Sequence, residues 1–222
     1  AVEAAKKIAE DNSATNAEIQ NAIQAVKDAE AALVKTEPEK PSNPEKPEVK
    51  VASVKLAKTS YVYDGKVKKP GIVAKNNKGE KITSKDYTVK YAAGCKNVGT
   101  YTVKVNFKGD YKGTFTKTFN INPKGTSLSK VKAARKSFSA TWKKQSKQTS
   151  GYQLQYSTNK KFAKSVKTST ISKNTTVKKT VKKLSAKKTY YVRVRTYKNV
   201  KAGKKTVKLY SGWSKVKAVK TK

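Results

Sequence analysis

Apolar residues recur with a helical period at the start of the chain and with period two after it. Ile19, Ile23, Val26 and Leu33 fall at spacings of four, three and seven, one stripe of a helix. Ahead of them Thr15-Asn-Ala-Glu18 is a capping box, in which hydroxyl and carboxylate each satisfy the other residue's orphan N–H. Val2, Ala5, Ile8 and Ala9 make a weaker stripe, and Asp11-Asn12-Ser13 interrupts the two. Residues 1–34 are therefore predicted to be a helical hairpin. Its apolar faces are narrow and rich in alanine, so its helices must pack on each other, on a third helix or on a partner. Pro38, Pro41, Pro44 and Pro47 then recur every third residue. Polyproline II has three residues per turn, so residues 35–50 read as an extended spacer of roughly 50 Å. Docking of a proline-binding partner is the alternative use of such a rod.

From residue 51 onward the pattern is alternation. Tyr87, Val89 and Tyr91 form one series, Tyr101, Val103, Val105 and Phe107 another, and Phe115, Phe119 and Ile121 a third. Turn signals separate them at Asp64-Gly65, Asn76-Asn-Lys-Gly79, Asn97-Val-Gly99, Lys108-Gly-Asp110 and Pro123. Residues 51–123 are expected to form one small β-sandwich. Residues 124–222 repeat the pattern with Phe138, Ala140 and Trp142, with Tyr152, Leu154 and Tyr156, and with Tyr190, Val192 and Val194. Val177 and Val181 precede Leu184 between them. The fold class expected is mainly β, two tandem immunoglobulin-like β-sandwiches preceded by a helical hairpin and a Pro-rich linker.

Two resemblances bear on this division. Tyr61-Val-Tyr-Asp-Gly65, Asp86-Tyr-Thr-Val-Lys-Tyr91, Asn97-Val-Gly-Thr-Tyr-Thr-Val103 and Gly109-Asp-Tyr-Lys-Gly113 make residues 51–123 resemble a bacterial immunoglobulin-like repeat. Leu184, followed six residues later by Tyr190 and then Val192 and Val194, makes residues 124–222 resemble a fibronectin type III domain. In that resemblance Leu184 and Tyr190 are the tyrosine corner, and Trp142 is the early-strand tryptophan. Ala186-Lys187 stands where the family usually has Pro-Gly. Together the resemblances imply a fragment of a Gram-positive cell-surface protein.

Charge sharpens the boundary near residue 50. Residues 1–50 carry ten acids against seven lysines, a net −3; residues 51–222 carry 45 basic residues against four acids, a net +41. Only three of the basic residues are arginines, Arg135, Arg193 and Arg195. Nucleic-acid binding is the first class such a charge suggests. The lysines, however, sit on nearly every outward strand position, as at Lys178, Lys179, Lys182 and Lys183, instead of forming one patch interleaved with aromatics. No recognition-helix or RNA-binding signature accompanies them. Coexistence with anionic polymers outside the cell fits the distribution better.

The chain has no histidine and one cysteine. That removes the usual general base, the usual zinc ligand and any His-activated nucleophile. Asp64, Glu80, Asp86 and Asp110 stand at turns, where a carboxylate accepts from nearby N–H groups. Beyond Asp110 no side-chain carboxylate remains for glycoside hydrolysis. No cofactor or metal is expected. Cys95 is expected on a loop, half-buried, with Lys96 able to lower its pKa. No apolar run is long enough to span a membrane, no signal peptide stands at the start, and a first residue other than Met suggests a mature form or a piece cut from a longer chain.

One side-chain cluster is expected in the second sandwich. Arg193 and Arg195 share a strand face, and Trp213 in Ser211-Gly-Trp-Ser-Lys215 precedes the final strand. A guanidinium stacks well on indole, so an Arg193–Trp213–Arg195 stack should close that face. It resembles the Trp/Arg ladder of some fibronectin-type receptor domains. The competing reading makes Trp213 an exposed platform for sugar, with Tyr111 as a second candidate ligand contact. The function expected is a non-enzymatic, extracellular adhesion or wall-associated spacer module, with anionic wall polymers, glycans or a protein as partners. The alternative is the accessory carbohydrate-binding or spacer region of a secreted glycan-degrading enzyme.

Overall fold

The computed structural model describes residues 3, 6, 7, 10, 15–35 and 48–222. Val2, Ala5, Ile8, Ala9, the Asp11–Ser13 break, the Leu33 side chain and the four-proline stretch lie outside the described residues. The chain divides into two units, residues 1–48 and 49–222. In the first, helix α1 runs over Asn16–Lys35. Its capping box is formed: the Thr15 N–H donates to Glu18 Oε2 at 2.8 Å, and the Glu18 N–H donates back to Thr15 Oγ1 at 3.4 Å. Ile19 and Ile23 on the apolar stripe are 39% and 44% exposed.

The second unit is mainly β and holds two tandem β-sandwiches. In the first sandwich, β1 (Val51–Leu56), β3 (Ile72–Asn76) and β4 (Lys81–Ile82) form a three-stranded sheet. It is completed by β2 (Ser60–Val62), β5 (Tyr87–Tyr91), β6 (Gly99–Phe107) and β7 (Thr114–Asn122), ordered β2-β7-β6-β5. The β2–β7 pair is parallel, with Tyr61 opposite Ile121. Alternation explains the layering, because every second residue of a strand faces the other sheet. Val103, Val105, Phe107, Phe119 and Ile121 meet Val54, Leu56, Ala74 and Ile82 in one core. Tyr61, Tyr87, Tyr101, Tyr111 and Phe115 pack around it.

The second sandwich has its own core. Here β8 (Leu128–Ala134), β9 (Ser137–Trp142) and β12 (Lys178–Val181) form one sheet, ordered β12-β9-β8. The other contains β11 (Lys167–Ile171), β10 (Gly151–Ser157), β13 (Thr189–Ala202) and β14 (Lys205–Tyr210). The last strand, β15 (Lys217–Lys220), pairs with the first half of β13, while β14 pairs with its second half. Phe138, Ala140 and Trp142 from one sheet interlock with Tyr152, Leu154, Tyr190, Val192 and Val194 from the other. The Trp142 ring lies 5.4 Å from that of Tyr152. Its Nε1 is buried and donates to no partner among the described residues.

Two backbone positions decide local shape. At Gly151 an added Cβ would sit 2.1 Å from the Ile171 carbonyl oxygen and 2.9 Å from Tyr197 Oη, so β10 and β11 approach closely only because no side chain is present. Between Leu184 and Tyr190 the turn forms around Ala186-Lys187. Lys187 takes a left-handed φ of 54°, and the Ser185 N–H donates to Tyr190 Oη at 3.2 Å. A lysine bears in that region a penalty that glycine does not.

Candidate functional site: a cation ladder on a polycationic surface

Arg193 and Arg195 stand two residues apart on β13, on the face away from the core. Their guanidiniums lie 4.5 Å and 4.2 Å from the centroid of Trp213. Adjacent same-face positions of a strand are about 6.6 Å apart, so the indole is held between the two cations. The stack extends further than the sequence indicated. Arg193 also lies 4.0 Å from the ring of Phe162, and Arg195 lies 3.8 Å from Tyr210. The result is a five-member series, Phe162–Arg193–Trp213–Arg195–Tyr210, drawn from β13, β14, the segment before β15 and the β10–β11 loop.

Neighbouring glutamines orient the cations. In the β10–β13 register Gln155 faces Arg193 and Gln153 faces Arg195. Gln155 Oε1 accepts from Arg193 Nε at 3.0 Å and Nη2 at 2.8 Å. Gln153 Oε1 accepts from Arg195 Nε at 2.9 Å. Burial lowers the pKa of both guanidiniums. Both stay charged, since a free guanidinium titrates far above neutrality, and neutral glutamine acceptors fix their geometry without cancelling that charge. Phe162 reaches the stack from a left-handed backbone, φ 55°. Asn159 shapes that loop by accepting from the Lys161 N–H at 3.0 Å and the Ala163 N–H at 3.3 Å.

Trp213 is half-buried, and a sugar ring could stack on it only by displacing an arginine. Tyr111 is also half-buried: its ring meets Phe107 edge-on at 6.4 Å and its hydroxyl accepts from Asn76 Nδ2 at 3.4 Å. Cys95 departs from expectation. It is 4% exposed, not half-buried, and its Sγ donates to the Ala92 carbonyl at 3.0 Å. Burial raises its pKa, outweighing the attraction of nearby Lys69. The expected depression by Lys96 is therefore corrected: the thiol has lost water and rests on a carbonyl acceptor.

Asp64, Glu80 and Asp86 serve local structure. Asp64 Oδ1 accepts from the Lys66 N–H at 2.9 Å, and Lys68 pairs with the other oxygen. Asp64 is held below the usual carboxylate pKa first by its bond from Lys68 and then by that from Lys66. Glu80 accepts from Asn76 Nδ2 at 2.8 Å, and Asp86 from Thr83 Oγ1 at 2.8 Å. Among the described residues no group of three His, Cys, Asp or Glu side chains could hold a metal ion. The lysines of residues 51–222 are all exposed, except Lys68, Lys117 and Lys198, which are half-buried.

Comparison with known proteins bears on the second sandwich. Residues 122–211 match the fibronectin type III domain. That domain is typically an extracellular spacer or adhesion module and is generally non-catalytic. Among solved structures, a two-domain fibronectin type III segment of chicken tenascin is 13% identical, with 77% of this chain and 99% of that one aligned at a TM-score of 0.41. The FN1–FN3 domains of chicken CNTN1 are 16% identical over 79% of this chain and 68% of that one, TM-score 0.38. A beta-1,2-glucanase from Parabacteroides distasonis is 13% identical over 55% of this chain but only 18% of its own, TM-score 0.35. No curated protein sequence matches the chain. Among the described residues no helix is long and apolar enough to cross a membrane.

Proposed function

We propose that this chain is a non-catalytic extracellular spacer or adhesion module whose sandwiches associate with anionic cell-wall polymers through a diffuse positive surface. The observation that carries the reading is the charge of residues 51–222, 45 basic residues against four acids, with no lysine buried. A body so charged repels itself and draws counterions, and a polyanion replaces them with a gain in entropy. The fibronectin type III match supports the module class. The bacterial immunoglobulin-like resemblance of residues 51–123 supports a Gram-positive cell surface. In this reading the ladder is structural: it covers the open face of a sheet with aromatic rings and cations.

Retention on purified Gram-positive cell wall, compared at low salt and at about 1 M salt, tests it. Screening then shortens to ~3 Å, and retention should fall steeply. Retention unchanged at high salt would mean a specific ligand, such as a glycan, in place of diffuse charge.

A further inference from the structure

The surface charge is not everywhere diffuse. A cleft of about 820 Å³ opens where the two sandwiches meet. Lys58, Tyr61, Tyr63, Asp64 and Lys68 line it from the first sandwich, Lys124 from the connection, and Lys144, Gln145, Ser146 and Lys147 from the β9–β10 loop. Five lysines thus face one carboxylate, and Asp64 already pairs with Lys68. Lys58, Lys124, Lys144 and Lys147 face no other carboxylate in the lining.

The walls are fixed to each other. Only Pro123–Ser127 separate β7 from β8, Pro123 is buried, and the Lys124 carbonyl accepts from Thr196 Oγ1 at 2.8 Å. Gln148 bridges the sandwiches: its Oε1 accepts from the Val98 N–H at 3.3 Å, and its Nε2 donates to Asn97 Oδ1 at 3.3 Å. Tyr152 Oη pins the β9–β10 loop by accepting from the Gln145 N–H at 2.8 Å. On the other side Lys58 Nζ sits 5.0 Å above the Tyr61 ring. Ammonium groups gathered in a concave, held site concentrate positive potential. Lysine is a compact point charge suited to phosphate oxygens, and Tyr63, Gln145 and Ser146 add neutral hydrogen-bonding groups.

We infer that this cleft is a defined binding site for an oligophosphate segment, the place where the polycationic surface engages a phosphate-bearing chain in fixed geometry. The inference rests on the proposed association with anionic polymers and adds a locus to it. The volume lies within the roughly 300–1,000 Å³ of ordinary ligand sites, room for several linked phosphates.

The test is calorimetric titration of the full chain with tripolyphosphate and, separately, with a glycerol-phosphate tetramer, at about 0.15 M salt. Tighter binding of one or the other shows whether the phosphates belong to a free oligophosphate or to a phosphodiester polymer. One saturable step of 1:1 stoichiometry is expected. Lys124→Gln with Lys144→Gln should weaken it about tenfold, because each lost ammonium removes a charge-assisted contact. Lys182→Gln with Lys220→Gln, which alters the surface charge equally elsewhere, should change it less than about twofold. Asp64→Asn keeps the side-chain carbonyl that accepts from Lys66 and should tighten binding about two- to threefold by removing the opposing charge. Lys124→Arg with Lys144→Arg should stay near the parent, which separates loss of charge from misfolding. Equal losses in the two glutamine pairs would overturn the cleft and leave the diffuse reading standing. No binding of either phosphate chain, with no retention on cell wall, would overturn both.

Discussion

Trp213 has the residue type of a ligand platform, yet it stands in a stack of cations. Its ring is held between Arg193 and Arg195, so truncation removes an apolar body and two cation–π contacts together. Trp213→Ala should cost about 2–4 kcal/mol, in the range of large-to-small core changes. At about 4–8 °C per kcal/mol for a domain of this size, the melting temperature should fall by at least ~8 °C. The measurement uses Trp142→Phe as a common background, so that only one indole reports. That change loses volume but no hydrogen bond, because Trp142 Nε1 has no acceptor among the described residues. In the same background Trp213 should be poorly quenched by acrylamide. A melt within about 0.5 kcal/mol of the parent, with ready quenching, would return Trp213 to the role of an open platform. Lys187 offers a test of opposite sign. It holds a left-handed φ in the turn below Tyr190, so Lys187→Gly relieves strain of about 1–2 kcal/mol and adds back part of it as unfolded-chain entropy. The net expectation is a gain of roughly 0.5–1 kcal/mol by urea melt. A loss would show that the lysine stem packs on something worth more than the strain.

Elements were legible in proportion to how aromatic and how regular they are. β5, β6, β9, β10 and the first half of β13 alternate cleanly, because one face meets the opposite sheet while the other meets water or, on β10 and β13, the ladder. β4 is too short to show a period, β11 carries a single buried residue, Ile171, and β14 has no buried face at all. The same limit applies to the ladder. Period-two spacing puts Arg193 and Arg195 on one face, and the turn before the last strand brings Trp213 to them. Phe162 and Tyr210 arrive from a distant loop and a polar strand, so only register could reveal them. The one sequence signal was Gln153 and Gln155, polar at period two beside a buried Leu154. Gly151 gave no signal, since its need arises from the carbonyl of Ile171 across the pair. Gly151→Ala must push β10 from β11 or rotate a peptide, at about 3 kcal/mol or more. Chemical denaturation should show that loss in full; a change under about 1 kcal/mol would mean the two strands separate at little cost.

For the whole molecule, stability and surface charge are opposed. In residues 49–222 the sandwiches bury two apolar cores and face water with lysine. Compaction brings those charges closer than the unfolded chain does, so part of the free energy of burial is lost to self-repulsion. The Debye length shrinks from about 30 Å at 0.01 M salt to about 8 Å at 0.15 M. Repulsion across a sandwich is then largely screened, while the cores are unaffected. A fragment beginning at Val49 should therefore fold alone, melt cooperatively as a β protein, and gain stability over this salt range. If relief is about 1 kcal/mol per sandwich, the midpoint rises by roughly 4–8 °C. A protein held by surface ion pairs responds in the opposite direction, because salt weakens attraction. Calorimetric melts at both salt concentrations decide it. A midpoint that stays flat or falls would mean that attractive pairing, not repulsion, dominates this surface, and would remove the physical basis for recruiting polyanions by counterion release.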